Sequence, residues 1–200
     1  MANYRITYKD DAALDRHIDL LPGDDGVRVE WRTDLNRNVT STGLYETIVQ
    51  HTLRYVTFDC YFQESAFHQL ETFLSFAQQG KPFAFTKDPT KGIELMAFAT
   101  GIGEEDIFVS DGDVDAFDSG DYIVMMHPNW IHWDVMRVNS TSFDEFNATP
   151  PTTHAYPADT PIFWYYYFPQ LLLLDDKFDP DRDGKFWHHT FNCAEVRYGT

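Results

Sequence analysis

The chain is short of cations. Its 200 residues hold 15 Lys and Arg against 32 Asp and Glu, a formal net charge of −17 at pH 7. Binding nucleic acid by neutralising phosphates needs a basic face, and there is little here to build one from. An anionic membrane surface repels such a chain for the same reason. Cysteine is scarce too. Cys60 and Cys193 are the whole complement, too few for a disulfide scaffold and without a neighbouring Cys for a zinc knuckle, so both are expected as buried thiols. The strongly apolar runs, IFWYYYF and LLLL, fall far short of the ~20 residues of a membrane helix. The N-terminal MANYRITYKDDAALDRH has no apolar core for a signal peptide, so a soluble protein made without a Sec-type leader is expected.

Catalytic and cofactor motifs are missing as well. There is no G-x-S-x-G, no S-x-x-K and no local cysteine signature for nucleophilic catalysis. Gly101-Ile102-Gly103 lacks a P-loop lysine, and Glu104, Glu105 and Asp106 behind it would repel a phosphate. The histidines are His17, His51, His68, His127, His132, His154, His188 and His189. None forms H-E-x-x-H or a helical i, i+4 pair. His127 and His132 flank a turn with no third ligand evident, and His188 and His189 are strand neighbours that point to opposite faces. Asp179, Asp181, Asp183 and Gly184 match the first half of a calcium loop, but the twelfth position is Thr190 where a bidentate Glu is needed, and Pro180 interrupts. An acidic hairpin turn is the expectation there. Asp111, Asp113, Asp115, Asp118 and Asp121 read as solvated surface charge. No catalytic residue, cofactor or metal is assigned. Paired carboxylates for glycoside hydrolysis depend on geometry alone, and a metal-dependent hydrolase is the most distant of three readings.

What the chain has in quantity is aromatic side chains: 17 Phe, 11 Tyr and 5 Trp. They favour strands and dominate contact energetics, pointing to a mainly β protein with interaction surfaces. From Leu53 to Phe62 apolar residues alternate, predicting a half-buried strand within TIVQHTLRYVTFDCYF, bent near His51. A helix over 65–79 follows, with Ala66, Phe67, Leu70, Phe73, Leu74 and Ala77 on one side, Ser65 as N-cap and Gly80 as stop. KPFAFT returns to strand with Phe83 and Phe85 on one face, and IELMAFAT is a further strand. DYIVMM and WIHWDVMRVNS read as a hairpin about HPN, with Ile131, Trp133, Val135 and Met136 near alternate positions. Residues 141–161 read as a loop. PIFWYYYF and QLLLL are expected as strands broken at Pro169, and KFWHHTFNCAEVRY as the last strand. Trp130, Trp133, Trp164, Tyr165, Tyr166 and Tyr167 could form a carbohydrate-stacking platform, and a glycan-binding β-sandwich is the runner-up reading. Aromatics on both faces of WYYY favour core and interface instead.

VTFDCYFQESAFHQLETFLSFAQQGKPFAFTKD resembles the corresponding segment of distal tail proteins and lambda-type minor tail proteins of tailed bacteriophages. There an aromatic strand leads into a helix, here with Phe67, Leu70, Phe73 and Leu74 apolar. A glycine ends the helix before a short strand, here Gly80-Lys81-Pro82-Phe83-Ala84-Phe85. Gly120–Met126, Arg137–Ser140 and Tyr167–Leu171 are similar in layout to the β-rich parts of such proteins. The resemblance implies a split β-barrel or sandwich with one flanking helix, a virion component of the tail tip or baseplate that forms a ring of identical copies and joins other tail proteins. It carries over no catalytic residue. On this reading residues 1–100 form a barrel-like β domain and 101–200 a β-rich continuation or insertion that returns to the barrel with a C-terminal strand. WRTDLNRNVTSTGLYETI is expected as a strand and a loop touching a neighbouring subunit, and Trp130, Trp133 and Trp164 as interface anchors.

Overall fold

The computed structural model describes residues 4–9, 14–39, 45–110, 114, 116–128, 132–175 and 177–196, with side chains described outside 33–53. The fold is mainly β with one helix among these residues. Two compact units are interleaved in sequence. The first comprises Met1–Arg32, Leu53–Pro89 and Phe168–Thr200, the second Thr33–Thr52 and Thr90–Tyr167.

The first unit is built on a sheet of β1 (Tyr4–Lys9), β2 (Asp15–Val39), β3 (Tyr45–Gln63), β4 (Phe83–Thr86), β11 (Tyr167–Leu173), β12 (Asp181–Asp183) and β13 (Phe186–Glu195). Their order is β11-β4-β1-β2-β3-β13-β12, and β11 also pairs β13, so the sheet curls until its flanks meet. Period-two alternation explains the inner face. Tyr4, Ile6 and Tyr8 on β1, Ile18 and Leu20 on β2, and Val56, Phe58, Cys60 and Phe62 on β3 are all buried. Phe58 stacks between Phe85 at 4.0 Å and Phe191 at 4.8 Å between ring centroids. The helix α1 (Glu64–Ala77) covers this face with Leu70, Phe73, Leu74 and Ala77. Phe73 meets Phe83 edge-on at 4.9 Å.

The second unit holds a six-stranded sheet of β5 (Ile93–Leu95), β6 (Asp106–Phe108), β7 (Tyr122–Met126), β8 (Trp133–Thr141), β9 (Glu145–Thr149) and β10 (Pro161–Trp164), in the order β5-β10-β7-β8-β9-β6. The two outer strands then meet. Met96 bridges Val109, Ala97 N donates to Phe108 O at 2.7 Å, and Ser110 N donates to Leu95 O at 2.8 Å. The sheet thereby closes into a barrel, which leaves no open edge. Its core gathers Met96, Ile107, Val109, Phe117, Ile123, Met125, Met136, Val138, Phe146, Tyr156 and Ile162.

Several elements differ from the sequence reading. The helix begins at Glu64 with Gln63 in the cap position and no side-chain cap bond, so Ser65 lies inside the first turn. It ends at Ala77, and Gly80 follows in the left-handed region at φ +76°. IELMAFAT is a strand only over Ile93–Leu95. The proline-rich tract contains β9, where Phe146 and Ala148 point inward. In WYYY the chain turns at Tyr165–Tyr166, so the break lies there, while Pro169 sits inside β11. Pairing of β11 with β13 uses Leu171–Leu173 beyond that proline. On β8 the inward residues are Asp134, Met136 and Val138, with Trp133 and Val135 half-buried. Trp130 and Ile131 lie outside the described residues.

Candidate functional site

A dense polar cluster of the barrel unit centres on Asp134. Its carboxylate faces inward on β8 beside apolar neighbours and is 7% exposed. It accepts from Thr153 N at 2.9 Å, His154 N at 3.3 Å, Tyr156 Oη at 2.9 Å and the Thr153 hydroxyl. Burial opposes ionisation, but the Thr153 and Tyr156 hydrogen bonds outweigh it and hold this carboxyl below its ordinary range. Burial, with the Asp134 charge second, drives the Tyr156 hydroxyl well above its own.

Three histidines border the cluster. His132 stacks on His154 at 4.5 Å between centroids, and His127 lies 6.0 Å from His132. The backbone joins the first pair of the turn, His127 N donating to His132 O at 3.0 Å. His154 Nδ1 lies 2.9 Å from the Thr153 hydroxyl. The third imidazole, whose place beside this turn has no local sequence signal, comes from a segment bridged to Thr100 by Tyr156. Even so, no three metal-ligating side chains among the described residues converge on a metal position. The carboxylate is saturated with donors and the phenol resists ionisation. What the arrangement does is tie Thr153, His154 and Tyr156 to β8.

The first unit has its own buried carboxylate. Asp59 lies out of phase with Phe58 and Cys60 on β3, yet is only 3% exposed, because β2 bends over it. Asp25 N donates to it at 3.1 Å, the Thr190 hydroxyl at 3.2 Å, and His188 Nε2 is hydrogen-bonded to the same group. The Tyr61 hydroxyl bonds Asp24 at 3.3 Å on the same bend. Gly23 is required there: a Cβ would sit 2.2 Å from Asp59 Oδ2 and 2.7 Å from its carbonyl carbon. His188 and His189 do face opposite ways. His188 meets Asp59 and Tyr61, whereas His189 packs between Phe178 and Phe191.

Beyond this bend β2 and β3 outrun their neighbours. Among the described residues, the six-residue β1 pairs Asp15–Leu20 of the 25-residue β2. β13 pairs Tyr55–Gln63 of the 19-residue β3. Beyond those pairings, the sheet order among the described residues sets β2 and β3 beside each other, and their stretch Thr33–Thr52 groups with the second unit. A two-stranded ribbon alone is marginal in water, so such a ribbon calls for cover.

The acidic segments behave as surface structure. Asp118 and Asp121 both hold Lys91, the latter at 2.8 Å, while Asp111, Asp113 and Asp115 lie outside the described residues. Asp181–Asp183 pairs with Phe186–His188 as a hairpin, with Gly184 at φ +60° in its turn. Asp175 accepts from Asn192 N at 2.7 Å. Trp164 packs against the barrel core, and Trp133 pairs with Met126 across β7 and β8. No helix among the described residues is long and apolar enough to cross a membrane. No protein-family model matches the chain, and no curated protein matches it.

Proposed function

We propose that the protein is a structural component of a phage tail tip or baseplate, a virion protein that works by assembly rather than by catalysis. Identical copies would close into a ring and join the tail tube to hub or fibre proteins. The observation that carries this reading is the β2–β3 ribbon, whose backbone runs far past the strands that flank it. Strand backbone that extends past its described partners is a template for strands of a neighbouring copy. The strand–helix–strand unit of β3, α1 and β4, with Phe73 and Leu74 under the helix, supports the same reading, since this is the segment that resembles tail proteins.

Mass photometry and light scattering of the purified chain, followed by negative-stain imaging, test the proposal. A closed ring is expected for the wild type, and a folded monomer when residues 33–52 are replaced by a short turn. A wild-type protein that stays strictly monomeric up to high micromolar concentration, or a shortened variant that still forms the ring, overturns it.

A further inference from the structure

The closing seam of the barrel carries an apolar outer face. Glu94 and Met96 point inward and are buried, so Ile93 and Leu95 point outward, 40% and 43% exposed. Across the seam Ile107 and Val109 are inward and Phe108 is outward, 37% exposed. Phe98, 66% exposed, packs edge-on against Phe108 at 6.0 Å. Single exposed apolar residues are ordinary, but a contiguous group with a polar rim marks a contact site.

The rim has one sign. Asp106 is exposed on the same face of β6 as Phe108. Asp144, exposed, accepts Val109 N through its backbone oxygen at 2.8 Å, and Asp159, exposed, donates its N to Met96 O at 2.9 Å. Glu104 and Glu105, also exposed, precede β6. Across Thr90–Tyr167 there are 13 carboxylates and only two cations, Lys91 and Arg137, and Lys91 is held by Asp118 and Asp121.

We propose that this face is a docking surface for a basic protein, one that presents an apolar knob ringed by Lys or Arg. The charge selects the partner class. A second copy docked by the same face would set carboxylate rim against carboxylate rim, which repel, whereas a basic rim is drawn in and steered to the apolar centre. The inference is separate from the ring reading, which uses the ribbon and not this face.

The test uses the full-length chain and two labelled synthetic peptides of equal positive charge. One is an amphipathic helix of Leu, Phe and Lys, and the other replaces every apolar residue with Ser or Gly. Fluorescence anisotropy should show the amphipathic peptide binding about tenfold more tightly than its control. Raising NaCl to 0.5 M should weaken it about tenfold, because the rim charges are exposed. Phe98→Ser with Phe108→Ser should cost about tenfold as well, with circular dichroism reporting a folded protein. If that pair perturbs folding, Glu105→Lys with Asp144→Lys, both exposed, should give the same loss. Equal binding of the two peptides, or unchanged binding in a folded variant, overturns the proposal. So does concentration-dependent dimerisation of the wild type that Phe98→Ser abolishes, since it would make the occupant a second copy.

Discussion

Arg54 and Glu195 sit side by side on β3 and β13 and close a two-point ion pair, both side chains fully buried and 141 positions apart in sequence. Arg54 Nε donates to Oε2 at 2.7 Å, a second guanidinium nitrogen reaches Oε1, and the Phe168 ring lies 4.5 Å from the guanidinium carbon. Such a pair is a weak net stabiliser, because desolvating both charges offsets much of their attraction. Arg54→Met should therefore cost about 3–5 kcal/mol by stranding a carboxylate, and Arg54→Met with Glu195→Leu should recover most of that. Urea denaturation of the three proteins decides it. A double variant no more stable than the single would mean that the pair itself is a large net stabiliser.

Gly23 and Asp59 give a steric prediction. A Cβ at position 23 falls 2.7 Å from the Asp59 backbone carbon, so relief requires moving a strand and not only a side chain. Gly23→Ala should lose about 2 kcal/mol or more, whereas a change at an unconstrained surface site stays within about 0.5. A Tm within a degree of wild type would show that the bend relaxes freely.

Asp134 gives a pH signature. Its folded carboxyl ionises more readily than the unfolded one, so its contribution is complete above the unfolded value of about 3.9 and fades as pH falls through the folded value. Asp134→Asn should cost about 1–3 kcal/mol at neutral pH by disturbing the Thr153 and Tyr156 bonds. The gap between variant and wild type should be flat above pH ~5 and narrow below ~4. Denaturant titrations across that range measure it, and a gap that widens on acidification would refute the assignment.

His189 has the opposite tendency for a base. Burial, opposed chiefly by the Asp175 charge, lowers its basicity, and its Nε2 is buried without a hydrogen-bond partner among the described residues. The unfolded imidazole takes its proton below about 6.5 while the folded one resists, so stability should fall as pH drops through that window. His189→Phe, flanked by Phe178 and Phe191 at 4.8 and 4.7 Å, should flatten the profile between about pH 5 and 7. Parallel wild-type and variant profiles would assign the acid sensitivity elsewhere.

Local periodicity made some of the fold legible. Phe67, Leu70, Phe73 and Leu74 marked α1 to within two residues of its observed ends, and Phe83 with Phe85 gave β4 the correct face. The hairpin of β7 and β8 was legible too, but not its phase. Asp134 turns inward because Thr153, His154 and Tyr156 satisfy it, and those partners come from a segment that shows no local pattern. β9 was hidden by Pro150 and Pro151, which follow it directly, and by having only Phe146 and Ala148 as inward residues. The barrel closure, Met96 with Val109, and the Asp59 contacts join distant segments, and no window of sequence encodes such a meeting.

The near absence of cations from the barrel segment also sets how the chain can be cut. Trypsin needs Lys or Arg, so the peptides it can release there are Gly92–Arg137 and Val138–Lys177. β5 to β7 lie in the first fragment and β9 and β10 in the second, while β8 is divided between them at Arg137–Val138. Tryptic resistance of this unit would therefore reflect missing cleavage sites as much as tight folding, and a protease that cuts after Glu or Asp, or after aromatics, is the one that can report its opening.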